Sequence, residues 1–245
     1  MSREFVLNHV HGFNRSFQKI LAEWNPKEET LVVMGNVLDY GHNSFLIFTK
    51  LFQLDFYYPG KVKFLKGKHE LAFEAFYANP RIKYEEYFSM GGLATLTSFY
   101  EKGLMYDELK DTDYLLDAVL PYVDFSLLEY YLQHAVSYYE TEKAIYVSEE
   151  KNVMDAVLEK QWTVDEQKCF YFTSQSDNAF RIPYLNLYLG EEIARTANGE
   201  KIAPIIQNNC IFFGEPSLGI STPCLTAYRI ADGVIVEEIS IPAEE

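Results

Sequence analysis

The sequence predicts an α/β fold, and three passages carry that expectation. Apolar runs at Glu4–Asn8, Thr30–Met34 and Lys61–Leu65 each read as a buried strand, each runs into a turn marked by glycine, and each is followed by a helical pattern. After the first strand, Phe13, Phe17, Ile20, Leu21 and Trp24 recur at helical spacing until Asn25-Pro26 closes the helix. After the second, a helix rich in Phe and Leu runs from Ser44 to Phe56 and stops at Tyr58-Pro59-Gly60. After the third, His69–Tyr77 returns as helix. Strand, turn and helix in that order, repeated, call for parallel strands joined by right-handed crossovers.

The rest of the chain follows in order. Residues 108–134 read as mostly helical, with a break at Leu120-Pro121. Ala135–Tyr139 and Lys143–Ser148 form a hairpin about Glu140-Thr141-Glu142, and Asn152–Lys160 is a short amphipathic helix. The last third is β-rich, with strands at Lys168–Thr173, Asn209–Phe213, Cys224–Ile230 and Val234–Ile241 and a hairpin turn at Ala231-Asp232-Gly233. No repeat, low-complexity stretch or linker interrupts the 245 residues, so one domain over 1–245 is expected.

Composition narrows the function classes. With 48% hydrophobic and 16% aromatic residues the chain can build a core and pockets rich in Tyr and Phe. A net charge of −15 argues against nucleic acid and anionic membrane as partners. Cys169, Cys210 and Cys224 have no paired spacing, so neither a disulfide framework nor a zinc-finger pattern is read from them. The start, M-S-R-E-F-V-L, lacks a signal-peptide run, and no stretch could span a bilayer; a cytoplasmic setting is expected. The many Tyr between 84 and 146 leave room for an oligomer interface.

The chemistry sits in the three turns. They read Asn8-His9-Val10-His11-Gly12, Gly35-Asn36-Val37-Leu38-Asp39-Tyr40-Gly41 and Gly67-Lys68-His69-Glu70. Further on come Ser89-Met90-Gly91-Gly92-Leu93-Ala94-Thr95-Leu96-Thr97-Ser98-Phe99-Tyr100 and Leu225-Thr226-Ala227-Tyr228-Arg229. In spacing and order these passages resemble the calcineurin-like metallophosphoesterases, in the bacterial serine/threonine protein phosphatase and diadenosine tetraphosphatase branch, over about residues 4–240. The resemblance implies that family's β-sandwich flanked by helices on both faces. It also implies a site where two divalent metals would activate water and clamp phosphate oxygens.

Measured against the family's motifs, the metal-binding positions are altered. His11 matches in the first motif, but His9 stands where an Asp would bind metal; if the strand continues, the two side chains project to one face as alternate residues. Asn36 replaces the bridging Asp and Tyr40 the Arg that would grip phosphate. Asp39 and His69 are in place and form a candidate hydrogen-bonded pair, whether acid–base or structural; Lys68 replaces a metal-binding Asn and is expected to point inward. Two later histidine positions align with Ser148 and Ser174, with Phe213-Gly214-Glu215-Pro216 as a rival for the second. His42 and His134 fall on predicted helices as ordinary side chains. A divalent ion beside Lys68 would meet repulsion on the order of 8 kcal/mol, so no metal cofactor is expected. The leading expectation is therefore a degenerate, inactive phosphatase-like protein that binds or scaffolds. Its partner would be an unidentified protein, or a phosphate-containing molecule held by Lys68, His9, His11, Asn36, Tyr40 and His69. The competing expectation is a phosphoric ester or anhydride hydrolase with a rebuilt, His-rich site for a single Mn, Zn or Fe ion.

Overall fold

The computed structural model describes residues 3–100, 103–104, 107–148 and 224–244, together with the backbone of strands at 169–172, 180–182, 187–189, 205–207 and 210–212. The first half alternates as expected: β1 (Arg3–Asn8), α1 (Asn14–Leu21), β2 (Thr30–Val33), α2 (Ser44–Tyr57), β3 (Val62–Phe64) and α3 (Lys68–Ala78). Helices α4 (Pro80–Ser89) and α5 (Gly92–Phe99) follow, then a short turn α6 (Thr112–Tyr114) and α7 (Ser126–His134). Next come β4 (Tyr138–Glu140), β5 (Ala144–Val147), β6 (Cys169–Phe172), β7 (Phe180–Ile182), β8 (Leu187–Leu189), β9 (Ile205–Gln207) and β10 (Cys210–Phe212). The chain closes on β11 (Cys224–Ala231) and β12 (Val234–Pro242).

Among the described residues the strands form two sheets of five, in the orders β12-β11-β1-β2-β3 and β4-β5-β6-β10-β9, and a two-stranded sheet of β7 and β8. In the first sheet β1, β2 and β3 are parallel neighbours, while β11 adds to β1 antiparallel and β12 to β11. Alternation of side chains along the central strands assigns each residue to one of two cores. Phe5, Leu7, Leu31 and Val33 face the helical layer and meet Phe17, Phe48, Leu51, Phe73, Phe76 and Tyr131. Val6, Val32 and Met34 face the other way and meet Ala144 and Tyr146 of β5. Because both faces are covered, β1 and β2 read as nearly continuous apolar runs.

Departures from the expected elements have local causes. Helix α4 was not expected: its apolar stripe is short, with Tyr84, Tyr87 and Phe88 at helical spacing and only Tyr87 fully buried. Strands β7, β8 and β9 span three residues each, too short for an alternation to show. The break at Leu120-Pro121 is present: a π-helical stretch Leu115–Val119 passes into a 3-10 turn Leu120–Tyr122 carrying the proline. The helix expected over Asn152–Lys160 lies outside the described residues. Among the described residues no helix is long and apolar enough to cross a membrane.

Candidate functional site

The site is assembled at one edge of the first sheet. Because β1, β2 and β3 are adjacent and parallel, the loops at their C-terminal ends emerge side by side, the position where open α/β sheets place ligands. Backbone hydrogen bonds tie the first two loops together: His11 N–H to Asn36 O at 3.1 Å, Gly12 N–H to Val37 O at 2.9 Å and Gly41 N–H to His11 O at 2.8 Å. The third loop is fastened by Glu70. Its buried carboxylate accepts from the N–H of Asn36 (2.7 Å), Val37 (2.8 Å), Leu38 (3.4 Å) and Gly67 (2.9 Å). Burial raises the Glu70 carboxyl above its ordinary range, with the backbone donors working against that rise.

These loops carry an unusual backbone. His9, His11, Asn36, Asp39 and Tyr40 all have positive φ, between 46° and 72°. Such residues cost of order 1–3 kcal/mol each and persist only where the surroundings over-determine them. Close approach explains the glycines beside them: a Cβ at Gly12 would lie 2.3 Å from the Gly41 carbonyl oxygen.

The polar side chains form one connected set. His11 donates from Nδ1 to Leu38 O at 2.9 Å, which leaves Nε2 as an acceptor. His9 Nδ1 lies 3.1 Å from that Nε2 and fills it. Burial, then the charges of His9 and His69, hold His11 well below its usual pKa, so the ring is neutral. His69 Nδ1 sits 2.7 Å from Asp39 Oδ2. The other oxygen of Asp39 accepts from the Tyr87 hydroxyl at 2.8 Å and the Thr95 hydroxyl at 2.7 Å. Thr95 in turn accepts from the Asp39 N–H at 3.0 Å. Burial first, and Asp39 second, push Tyr87 far above its ordinary pKa and keep it a donor. Asn36 is also buried; its Oδ1 accepts from His69 N–H at 3.3 Å. Tyr40 closes the cluster, its ring meeting those of His11 and His69 edge-on at 5.1 and 5.4 Å.

The fold thus brings together His9, His11, Asn36, Asp39, Tyr40 and His69, and two expectations change. Lys68 is exposed rather than inward, because it opens α3 at the solvent side, although its charge still reaches His11. His9 and His11 do not pair as alternate residues of a strand. The strand ends at Asn8, and left-handed turns bring their rings within 5.3 Å. His42 lies in the loop ahead of α2 and is exposed, while His134 is the last residue of α7 and bonds Tyr130 O. Ser148 directly follows β5 and lies beside the site: a Cβ at Gly35 would come 2.8 Å from its Oγ. Ser174 and Phe213–Pro216 lie outside the described residues. Tyr87 and Thr95 were missed as site residues, although Thr95 lay within the Ser89–Tyr100 passage already singled out.

A fold of this outline matches a solved candidate diadenosine tetraphosphatase with a TM-score of 0.50 at 12% identity, covering 99% of this chain and 94% of that one. The chain has the calcineurin-like metallophosphoesterase fold. Other matches include a protein serine/threonine phosphatase from Saccharomyces cerevisiae (TM-score 0.40, 11% identity, covering 100% and 80% of the two chains). A cold-active protein tyrosine phosphatase also matches (TM-score 0.43, 13% identity, covering 97% and 78%). No family model matches the sequence, and no curated protein matches it.

The metallophosphoesterase fold raises the question of a dinuclear metal centre, and the residues present do not fit one. Of the positions that would hold metal, His11 has its Nε2 in contact with His9 Nδ1 at 3.1 Å, and another carries the cation Lys68. The bridging position carries the neutral amide of Asn36. Among the described residues no group of three or more His, Cys, Asp or Glu is placed to hold a metal ion.

Proposed function

We propose that this chain is a degenerate metallophosphoesterase-like protein that binds a phosphate-containing ligand directly, and acts through binding or scaffolding rather than dinuclear hydrolysis. The observation that supports this most is the 3.1 Å contact between His9 Nδ1 and His11 Nε2, which takes up the ring nitrogen that His11 would otherwise offer a metal. What remains for a ligand is suited to an anion. Lys68 contributes a positive charge at the N-terminus of the eleven-residue α3, where the helix dipole has the same sign. His69, anchored by Asp39 through Nδ1, has Nε2 as its remaining polar atom and can exchange a proton with a phosphate oxygen there. Three cysteines without paired spacing fit a reducing, cytoplasmic setting.

A second reading, phosphoric ester or anhydride hydrolysis at a single transition-metal ion, draws on one feature. The His11 Nδ1–H to Leu38 O bond is the kind of outer contact that orients a metal-binding imidazole. One experiment separates the two. Metal content is measured on protein purified without chelator, before and after soaking in manganese and zinc. Melting temperature is then followed in inorganic phosphate and in diadenosine tetraphosphate. The expected result is negligible metal, no turnover, and a melting temperature that climbs with ligand concentration. One firmly held ion per chain, lost in His11→Ala, would overturn the proposal in favour of the hydrolase.

A further inference from the structure

The residue that replaces the family's phosphate-gripping arginine is not merely lost charge. Tyr40 follows Asp39 in the left-handed region (φ 56° after φ 72°), a placement that a bulky residue adopts only under constraint. The constraint is visible on the opposite side. Gly91, itself at φ 92°, leaves so little room that a Cβ there would stand 2.9 Å from Tyr40 N and 3.0 Å from its Cδ1. The ring is further fixed by its edge-on contacts with His11 and His69 at 5.1 and 5.4 Å. Yet Tyr40 keeps 39% of its surface exposed, while His11 and His69 keep 2% and 5%. A ligand coming from solvent toward the imidazoles therefore meets a rigid aromatic wall, with the exposed cation of Lys68 at the start of α3.

A fixed aromatic beside a cation and buried imidazoles recognises a molecule that joins a flat ring to an anion. The spacing narrows it further. Tyr40 lies about one ring's breadth from His11 and His69, so the flat group must sit close to the phosphate rather than at the end of a spacer. We propose that Tyr40 forms a stacking subsite for an aromatic ring carried directly on the ester oxygen of a phosphate monoester, so that the preferred ligand class is an aryl phosphate. This rests on the anion-binding reading above.

The test is isothermal titration of the chelator-treated full chain with inorganic phosphate, ethyl phosphate, phenyl phosphate and adenosine monophosphate. Wild type is compared with Tyr40→Phe and Tyr40→Asn. Asparagine tolerates the left-handed backbone, so Tyr40→Asn removes the ring without adding strain, and its melting curve verifies the fold. Phenyl phosphate is expected to bind wild type about five-fold more tightly than ethyl phosphate, a difference kept by Tyr40→Phe and erased in Tyr40→Asn. If phosphate binds but phenyl and ethyl phosphate are equal, or if the preference survives in Tyr40→Asn, the subsite is refuted and the anion pocket stands. Tighter binding of adenosine monophosphate than of phenyl phosphate would refute the direct ester linkage. If none of the four binds, the anion reading falls, and the subsite with it.

Discussion

At the scale of single residues, Asp39 is the pivot, a carboxylate with no exposed surface whose charge is stabilised only by neighbours. His69 takes one oxygen, and the hydroxyls of Tyr87 and Thr95 share the other. Removing a donor from a buried charge costs more than the bond itself contributes, because the acceptor is left without compensation. Tyr87→Phe and Thr95→Val are each expected to destabilise the protein by roughly 1.5–3 kcal/mol in urea denaturation. The double variant should depart from the sum of the two, since both hydroxyls act on one oxygen. Additive losses would mean that the two hydroxyls serve separate parts of the structure.

At the scale of elements, the three strand-end loops are held to one another by backbone contacts and by the Glu70 carboxylate. Gly12 and Gly41 touch across the first two loops, and Glu70 fastens the second loop to the third. Gly12→Ala combines a positive φ with a Cβ 2.3 Å from a backbone oxygen, which cannot yield without parting the loops. Gly60 has a similar φ of +78° but nothing within 4 Å. Gly60→Ala is expected to cost about 1–2 kcal/mol from left-handed strain alone. Gly12→Ala should exceed it by at least about 1–2 kcal/mol, the range of overpacking. Equal losses in parallel melts would show that the loop contact is not tight in solution. These glycines were conspicuous in the sequence, but what they touch was not, because each contact joins residues of different loops.

For the molecule as a whole, pH dependence follows from His11. Its folded pKa lies well below the usual 6.5, chiefly because the ring is buried. An unfolded chain takes up a proton there near pH 6.5, whereas the folded chain does not until the pH is far lower. Over that window the unfolded state binds more protons, so stability rises with pH. The His11 contribution is thus fully present above about pH 6.5 and is lost as pH falls through the depressed value. Glu70 acts with the opposite sign at more acid pH, its raised carboxyl adding stability below its ordinary 4.5 that is lost as pH rises through the folded value. Comparing wild type with His11→Asn cancels that background. Urea stability measured from about pH 7.5 down to about pH 5 should decline less steeply in the variant. Parallel declines would place the responsible proton elsewhere.

The sequence alone determined the α/β order, the three loops after parallel strands, and the types of donor atoms available, since these depend on local periodicity and residue identity. It also showed that Asn36 and Tyr40 could not supply the charges of a metal and phosphate clamp. Only the tertiary structure decided how those atoms are used. Thr95 reaches Asp39 across 56 residues and Tyr87 across 48, a pairing set by how the helical layer packs on the sheet. Lys68 and Tyr40 make the same point from the surface. The lysine faces solvent because it opens a helix, and the tyrosine becomes a fixed wall because Gly91 and two imidazoles confine it. Residue identity sets which bonds a side chain can make; packing sets which partner is within reach.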